Sequence, residues 1–114
     1  MANSFFDSVP FLAVTGNVPT SQFNRGAFQE TYRFYQADFP STARAYCKRV
    51  FQPTRADMVP LAVRQAWKTM VTGRPGPVVL DVPFDIFKEE AAVEMPRAAV
   101  ILVGQGVKYG RATA

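Results

Sequence analysis

The sequence predicts an α/β fold: a partial, doubly wound parallel sheet with flanking helices. Two apolar runs, "VPFLAVTG" at 9–16 and "PVVLDVP" at 77–83, are consecutive and not alternating. Such runs are typical of strands that are covered on both faces, as in a parallel sheet. An amphipathic helical pattern at 57–72 directly precedes the second run. A strand, a helix and a second two-sided strand together give the βαβ order of an α/β protein.

Length and composition limit the classes of function. The chain has 114 residues, of which 48% are hydrophobic, which suits one small domain or a part of a larger one. The net charge is +4, but the basic residues are spread along the chain, so we expect no nucleic-acid partner. No apolar run approaches the roughly 20 residues of a membrane helix, and no signal peptide is visible. We therefore expect no membrane partner and a cytoplasmic location.

The reactive residue types are few. The chain contains no histidine, which removes the usual general base and the usual metal ligand. It also removes the Ser-His and Cys-His pairs of nucleophilic catalysis. Cys47 is the single cysteine, so no internal disulfide can form, and we expect it to be a small residue near the core.

The first half of the chain contains one strand, a loop and an aromatic helix. The first apolar run is followed by "NVPTSQFNRG", whose composition predicts a loop. Phe28, Tyr32 and Tyr35 then recur at spacings of four and three, which places their rings on one helical face. Pro40 breaks this pattern, and "YCKRVF" at 46–51 is consistent with a short strand.

The strongest helical pattern covers 57–72. Asp57 is the expected N-cap, and Pro60 lies in the first turn, where its missing N–H costs nothing. Gly73 is placed to adopt the left-handed conformation that ends a helix, and Pro75 prevents the helix from continuing. The expected apolar stripe consists of Val59, Ala62, Val63, Ala66, Trp67 and Met70.

The last third of the chain contains the second two-sided strand and a charged connection. Asp81 lies where this strand leaves the sheet, and we expect it to be a polar contact there or a helix cap. Residues 84–97 are charged and predict a surface connection, and "AAVILVGQGVKYG" at 98–110 predicts another two-sided strand that runs into glycines. The glycines of "GQGVKYG" follow that strand but lack the GxGxxG spacing, so we expect no nucleotide site.

Two stretches carry a resemblance to a known family. "AVTGNVPTSQFNRGAFQE" and "TGRPGPVVLDVPFDI" resemble two signature stretches of the thiamine-diphosphate-dependent enzymes of the acetolactate synthase, pyruvate oxidase and benzoylformate decarboxylase type. The match covers roughly residues 7–88 and falls in the second half of the N-terminal, pyrimidine-binding (Pyr) domain. "AVILVGQGV" resembles the first strand of the family's central domain. The resemblance therefore implies a partial Pyr domain at 1–90, and a linker with the first strand of a central domain at 91–114.

The resemblance also implies which cofactors act in the family and which parts this chain lacks. Thiamine diphosphate supplies the reactive carbon, magnesium holds its diphosphate, and some members bind FAD. The family's cofactor-activating glutamate lies upstream of the matched stretches, and the magnesium ligands lie in a C-terminal domain. We therefore assign no catalytic residue and no metal ligand to this chain, and we expect it to be inactive alone.

Five residues are carried over as site candidates. The segment that matches "VPT…GAFQE" lines the substrate side of the active site in the family, which implies a pocket formed by Val18, Pro19, Phe28 and Gln29. Phe28 would be an apolar wall, or else part of the core. Gln29 would hydrogen-bond a bound carbonyl or carboxylate, or else face solvent. Arg74 matches the arginine that contacts FAD in flavin-containing members, or else it is a turn arginine that faces solvent or a neighbouring subunit.

The expected partners follow from the same resemblance. The family acts on 2-keto acids or aldehydes and assembles as homo-oligomers. The leading hypothesis is therefore a fragment of a thiamine-diphosphate-dependent carboligase or decarboxylase. A second hypothesis is a non-catalytic remnant or interaction module that associates with a full-length relative. A third is an independent small α/β binding domain.

Overall fold

The structure confirms the predicted α/β class. The computed structural model describes residues 1–25, 38–93, 99–101 and 109–111. Its main sheet has three parallel strands, β1 (Leu12–Asn17), β2 (Arg49–Phe51) and β3 (Val78–Pro83), in the order β1–β3–β2. β3 lies in the middle, and all six of its residues are buried. The two apolar runs are thus neighbouring strands of one sheet, as predicted.

Helices flank both faces of this sheet. They are α1 (Ala2–Phe6), α2 (Phe39–Arg44), α3 (Val59–Val71) and α4 (Phe84–Lys88). One apolar cluster lies between the sheet and α3, and its buried members are Phe51, Ala66, Met70, Val78, Leu80, Val82 and Ile86. A second cluster lies on the α2 side, and its buried members are Ala43, Cys47 and Val79. Because successive side chains of β3 point to opposite faces, its unbroken apolar run supplies both clusters.

Cys47 is buried, as predicted. Burial raises the pKa of its thiol, because the thiolate is poorly solvated in this position. A thiol that stays protonated is a weak nucleophile, so Cys47 belongs to the core and not to a reactive site.

The start of α3 differs from the prediction. A 3₁₀ turn at Ala56–Met58 leads into the helix, so Asp57 lies inside this turn and caps nothing. Its carboxylate instead pairs with the guanidinium of Arg55. The predicted N-cap role of Asp57 is therefore wrong, whereas Pro60 lies in the first turn of the helix, as predicted.

The apolar face of α3 is narrower than predicted. Ala66 and Met70 are buried, but Val63 is 39% exposed and Trp67 is 52% exposed. The helix contacts the sheet through Ala66 and Met70, which are four residues apart; Trp67 lies about 100° around the helix from Ala66, and Val63 lies at the border of the stripe. Including them in the buried stripe was therefore wrong. Within the described ranges, none of the helices is long and apolar enough to cross a bilayer.

The helix α2 was not predicted. Asp38 is its N-cap and accepts a hydrogen bond from the backbone N–H of Ser41 at 2.7 Å. Hydrogen bonds from Ser41 lower the pKa of the Asp38 carboxyl. Pro40, which was expected to break structure, lies in the first turn of this helix, where proline is well tolerated. Of the predicted short strand at 46–51, only Arg49–Phe51 is extended, as β2.

The C-terminal segment contains two short strands and not one. β4 (Ala99–Ile101) and β5 (Tyr109–Arg111) pair antiparallel in a sheet of their own. The predicted strand that runs into glycines is present at Ala99–Ile101, whereas its pairing partner β5 was not predicted. The assignment of 91–114 to a linker and a central-domain strand stays a prediction. The predicted aromatic helix with Phe28, Tyr32 and Tyr35 lies outside the described residues.

Candidate functional site

The three parallel strands end together at one edge of the sheet, which we call the carboxyl edge. Their last residues there are Asn17, Phe51 and Pro83. The loop at 18–25 and the segment at 52–58 leave the sheet from this edge. Ligands of open parallel sheets bind at the carboxyl ends of the strands, so this edge is the candidate site. The opposite edge, where the strands begin, we call the amino edge.

Asp81 is the central charged group of the carboxyl edge. Its relative exposure is 0%, and its carboxylate accepts three hydrogen bonds from side chains. Thr15 Oγ1 donates to Oδ1 at 2.8 Å, and Asn17 Nδ2 and Gln52 Nε2 each donate to Oδ2 at 2.7 Å. These bonds offset the cost of removing a carboxylate from water. Asp81 is thus a polar contact at the sheet's end, as predicted, and not a helix cap.

Sequence reasoning missed the three partners of Asp81. Thr15 and Asn17 alternate along β1, so they share one face of the sheet, and Thr15 lies directly opposite Asp81 in the register. Two polar residues at alternate positions of an otherwise apolar strand are a detectable signal of a buried polar partner. Gln52 gives no such signal, because its approach to Asp81 depends on how β2 is placed beside β3.

A cavity of about 90 Å³ opens beside this polar cluster. The described residues that line it are Asn17, Phe23, Asn24, Asp38, Phe39, Pro40 and Gln52. A second cavity of about 130 Å³ lies on the α3 side and is lined by Phe51, Gln52, Pro53, Met58, Leu61, Ala62 and Gln65. Gln52 borders both cavities.

The predicted pocket residues divide into two pairs. Val18 and Pro19 follow β1 at the carboxyl edge, where the backbone N–H of Val18 donates to Asn17 Oδ1 at 2.8 Å. Val18 is buried, and neither residue is among those that line the two cavities. Phe28 and Gln29 lie outside the described residues. The pocket role of all four stays a prediction.

A second carboxylate fixes the loop that follows β1. The backbone N–H of Thr20 donates to Asp85 Oδ1 at 3.0 Å, and its hydroxyl donates to Oδ2 at 2.5 Å. The side-chain hydrogen bond from Thr20 is the main cause that lowers the pKa of Asp85. Because Asp85 lies in α4, directly after β3, this contact ties together the segments that leave two neighbouring strands.

Asp38, Asp81 and Asp85 of this edge do not fit the task of activating thiamine diphosphate. That task needs a carboxylate free to bond a ring nitrogen of the cofactor. Asp81 and Asp85 accept the bonds given above, and Asp38 is engaged as the N-cap of α2. In the part of the chain that the structure describes, no three His, Cys, Asp or Glu side chains gather to hold a metal ion.

Arg74 lies at the amino edge, away from the other site candidates. Its Nε donates to Ser8 Oγ at 2.7 Å, and its Nη2 donates to the carbonyl oxygens of Phe6 at 2.5 Å and Phe5 at 3.4 Å. These carbonyls are at the C-terminal end of α1, where the helix dipole favours a cation. The structure therefore does not bring Arg74 together with Val18 and Pro19, and its contact with FAD stays a prediction.

Lys48 is a second cation of the amino edge, and sequence reasoning missed it. Its Nζ donates to the carbonyl oxygens of Thr69 at 2.5 Å and Thr72 at 2.7 Å, at the C-terminal end of α3. The aliphatic stem of Lys48 packs over Gly76, where an added Cβ would meet Cγ and Cδ at 3.1 Å. Gly73 has φ +66°, as its predicted helix-ending role requires.

Comparison with known proteins identifies the family. The chain is 36% identical over 86 residues to the mitochondrial acetolactate synthase catalytic subunit of Saccharomyces cerevisiae, which is 75% of this chain and 12% of the relative. It is 35% identical over 89 residues to the acetolactate synthase large subunit of Buchnera aphidicola, or 78% of this chain and 14% of the relative. The large subunit from Corynebacterium glutamicum is 36% identical over 90 residues, or 79% of this chain and 13% of the relative.

The chain thus spans only about an eighth of the length of these relatives. No family model matches it. The similarity nevertheless covers at least three quarters of the chain in each case, and it agrees with the open parallel sheet. The chain belongs to the acetolactate synthase family of thiamine-diphosphate-dependent enzymes.

Proposed function

We propose that these residues form one segment of a thiamine-diphosphate-dependent carboligase or decarboxylase that acts on 2-keto acids. In this proposal, residues 1–90 are part of a Pyr domain and 91–114 are a linker with the first strand of a central domain. The observation that carries it is the identity of about 36% to acetolactate synthases over most of the chain. The parallel order β1–β3–β2, with helices on both faces, supports it.

The substrate side of the site would lie in the loop after β1. Val18 and Pro19 follow that strand at the carboxyl edge. We propose that Phe28 adds an apolar wall to this pocket and that Gln29 adds a hydrogen-bonding group. The bond between Thr20 and Asp85 supports this role, because it holds the start of the loop against the segment after β3. Magnesium and, in flavin-containing members, FAD would be bound with contributions from other parts of a longer protein.

A segment exchange tests the proposal. Residues 7–88 replace the aligned segment in the acetolactate synthase large subunit of Corynebacterium glutamicum, and acetolactate formation from pyruvate is measured. We expect the chimera to form acetolactate with added thiamine diphosphate and magnesium. The same chimera with Gln29→Leu should lose at least about tenfold in kcat/KM, since a group that bonds the substrate is removed. A folded chimera without activity would contradict the proposed function.

We further propose that the 114 residues alone do not activate the cofactor. The carboxylates of Asp38, Asp81 and Asp85 near the carboxyl edge are engaged with donors of this chain, and none belongs to the family's glutamate motif. The purified chain, supplied with thiamine diphosphate, magnesium and pyruvate, should yield neither acetolactate nor aldehyde. Clear turnover would contradict this part of the proposal without affecting the family assignment.

A second candidate function is association with a full-length relative. Among the described strands, β1 lies at the edge of the main sheet. Its Val14 is 55% exposed, and the nearby Phe87 is 59% exposed. Strand edges and exposed apolar side chains favour association. Size-exclusion chromatography and binding of a hydrophobic dye test it. A monomeric chain that binds no dye and melts sharply would contradict this second function and favour an independently folded domain.

A further inference from the structure

The loop that follows β1 is held at two points by two carboxylates of the carboxyl edge. At the first point, Asn17 Nδ2 donates to Asp81 Oδ2 at 2.7 Å, and Asn17 Oδ1 accepts the backbone N–H of Val18 at 2.8 Å. At the second point, Asp85 accepts the backbone N–H of Thr20 at 3.0 Å and the Thr20 hydroxyl at 2.5 Å. Asp81 lies in β3 and Asp85 in α4, so two consecutive elements hold the same loop.

These contacts use every backbone N–H group between the two points. The N–H groups of Val18 and Thr20 form the bonds given above, whereas Pro19 between them has no N–H group. The proline ring also restricts φ, which is −55° at Pro19. The carbonyl oxygen of Pro19 accepts the N–H of Gln22 at 2.8 Å. The backbone of this stretch is therefore fixed before any ligand binds.

Asp81 determines which end of the Asn17 amide reaches the loop. A carboxylate only accepts hydrogen bonds, so the NH₂ group of Asn17 turns toward Asp81, and the amide oxygen is left for the N–H of Val18. Val18 itself is buried, whereas Pro19 is half-buried. Pro19 is thus the member of the proposed pocket pair that keeps more surface for a ligand.

We propose that Asp81 and Asp85 are positioning residues of the substrate site, which hold Pro19 in place for a 2-keto acid. Asp81 acts through Asn17, and Asp85 acts through Thr20. The inference rests on the proposed function, in which Pro19 lines the substrate side of the site. Neither carboxylate bonds the substrate itself, because both are engaged with donors of the protein and like charges repel.

Loss of either holding point should raise KM and leave kcat almost unchanged. The loop must then be ordered each time substrate binds, and this cost applies equally to the bound substrate and to the transition state. A net hydrogen bond corresponds to about a three- to tenfold change in KM. A merely structural role predicts a different result, because a less stable fold reduces the number of active molecules. That loss lowers the apparent kcat and leaves KM unchanged.

The kinetic test uses the chimera described above, with pyruvate as substrate. Asp81 is tested through Asn17→Leu, since replacing the buried carboxylate itself is expected to destabilise the whole chain. Asn17→Leu and Asp85→Ala should each raise KM about three- to tenfold. Thr15→Val is the matched control for the first variant, because Thr15 bonds the other oxygen of Asp81, and its KM should stay within about twofold. Thr20→Ser keeps both donors to Asp85 and is the control for the second variant.

A second measurement follows the loop without any catalysis. In the 114-residue chain, the N–H of Gln22 reports on the loop, because its acceptor is the Pro19 carbonyl and neither residue is replaced. Its hydrogen exchange, followed by NMR, should be about three- to tenfold faster in Asn17→Leu and in Asp85→Ala than in the unmodified chain. Thr15→Val should leave this exchange rate within about twofold.

Four results would overturn the inference: an unchanged KM in either variant of an active chimera, a fall in kcat in place of a rise in KM, an equal rise of KM in Thr15→Val, or unchanged Gln22 exchange in either variant. If Asp85→Ala does not fold, Thr20→Val replaces it, since it loses the hydroxyl bond that Thr20→Ser keeps.

Failure here is separable from failure of the proposed function. An active chimera whose variants keep their KM overturns this inference alone. An unmodified chimera that folds without activity contradicts the proposed function, and the Gln22 exchange then still decides whether the two carboxylates hold the loop.

Discussion

The two edges of the sheet use charged groups in opposite ways. At the amino edge, Lys48 and Arg74 donate mainly to backbone carbonyl oxygens at the ends of α3 and α1. At the carboxyl edge, the buried Asp81 accepts from side chains, one of which borders two cavities. The cations of the amino edge satisfy helix ends, whereas the buried anion of the carboxyl edge holds side chains where parallel strands end, which is where ligands of such sheets bind. The difference separates a structural edge from a candidate functional one.

The largest expected effect comes from removing the anion of the carboxyl edge. Asp81→Ala leaves three buried or partly buried donors without their acceptor, and we expect the free energy of unfolding to fall by about 3–5 kcal/mol. Thr15→Val removes one of these bonds and should cost about 1 kcal/mol. Urea unfolding followed by circular dichroism measures both. Equal losses in the two variants would show that Asp81 does not organise the cluster.

Removing a cation of the amino edge should cost less. Lys48→Met keeps the aliphatic stem over Gly76 but loses the bonds to Thr69 and Thr72 at the end of α3. We expect a loss of about 2 kcal/mol in the free energy of unfolding, since the bonds are charge-assisted but near the surface. Arg64→Met, on the exposed face of the same helix, is the control and should change stability by less than about 0.5 kcal/mol. A similar loss in both variants would remove the special role of Lys48.

The turn beside Lys48 offers a finer test of the same edge. Gly73→Ala should cost about 1 kcal/mol, because its φ of +66° is unfavourable for any residue with a Cβ. Gly76→Ala should cost a similar amount for a different reason, namely that the new Cβ meets the Lys48 stem at 3.1 Å. In the Lys48→Ala background, Gly76→Ala should therefore cost less free energy of unfolding than it does in the unmodified chain. Gly73→Ala should cost the same in both backgrounds. Additive losses for both glycines would contradict the contact at Gly76.

The sequence allowed prediction of the elements that depend on local pattern. The unbroken apolar run of β3 and the glycine after α3 are local signals, and both predictions are confirmed. Lys48 and Gln52 were missed, because their bonds reach residues 21 to 29 positions away and depend on how β2 is placed in the sheet. The prediction that Asp57 is the N-cap of α3 was wrong for a local reason, since a 3₁₀ turn places the start of the helix after it.

The smallest expected effect concerns the part-buried contact between Thr20 and Asp85 at the carboxyl edge. The hydroxyl of Thr20 lowers the pKa of Asp85 from the ordinary value of 3.8, so the bond stabilises the fold above that pH. This contribution is lost as the pH falls below 3.8 through the lowered pKa. Thr20→Val should therefore lower the free energy of unfolding at pH 7 by less than about 1 kcal/mol and have less effect at pH 2.

Thr20→Ser keeps the hydroxyl and should keep the pH dependence of the unmodified chain, which separates hydrogen bonding from packing. The measurement is urea unfolding at pH 7 and at pH 2 for the three proteins. If Thr20→Val loses the same free energy at both pH values, the methyl groups and not the hydroxyl–carboxylate bond hold the loop. In that case the part-buried carboxylate of Asp85 would contribute nothing to the pH dependence of stability.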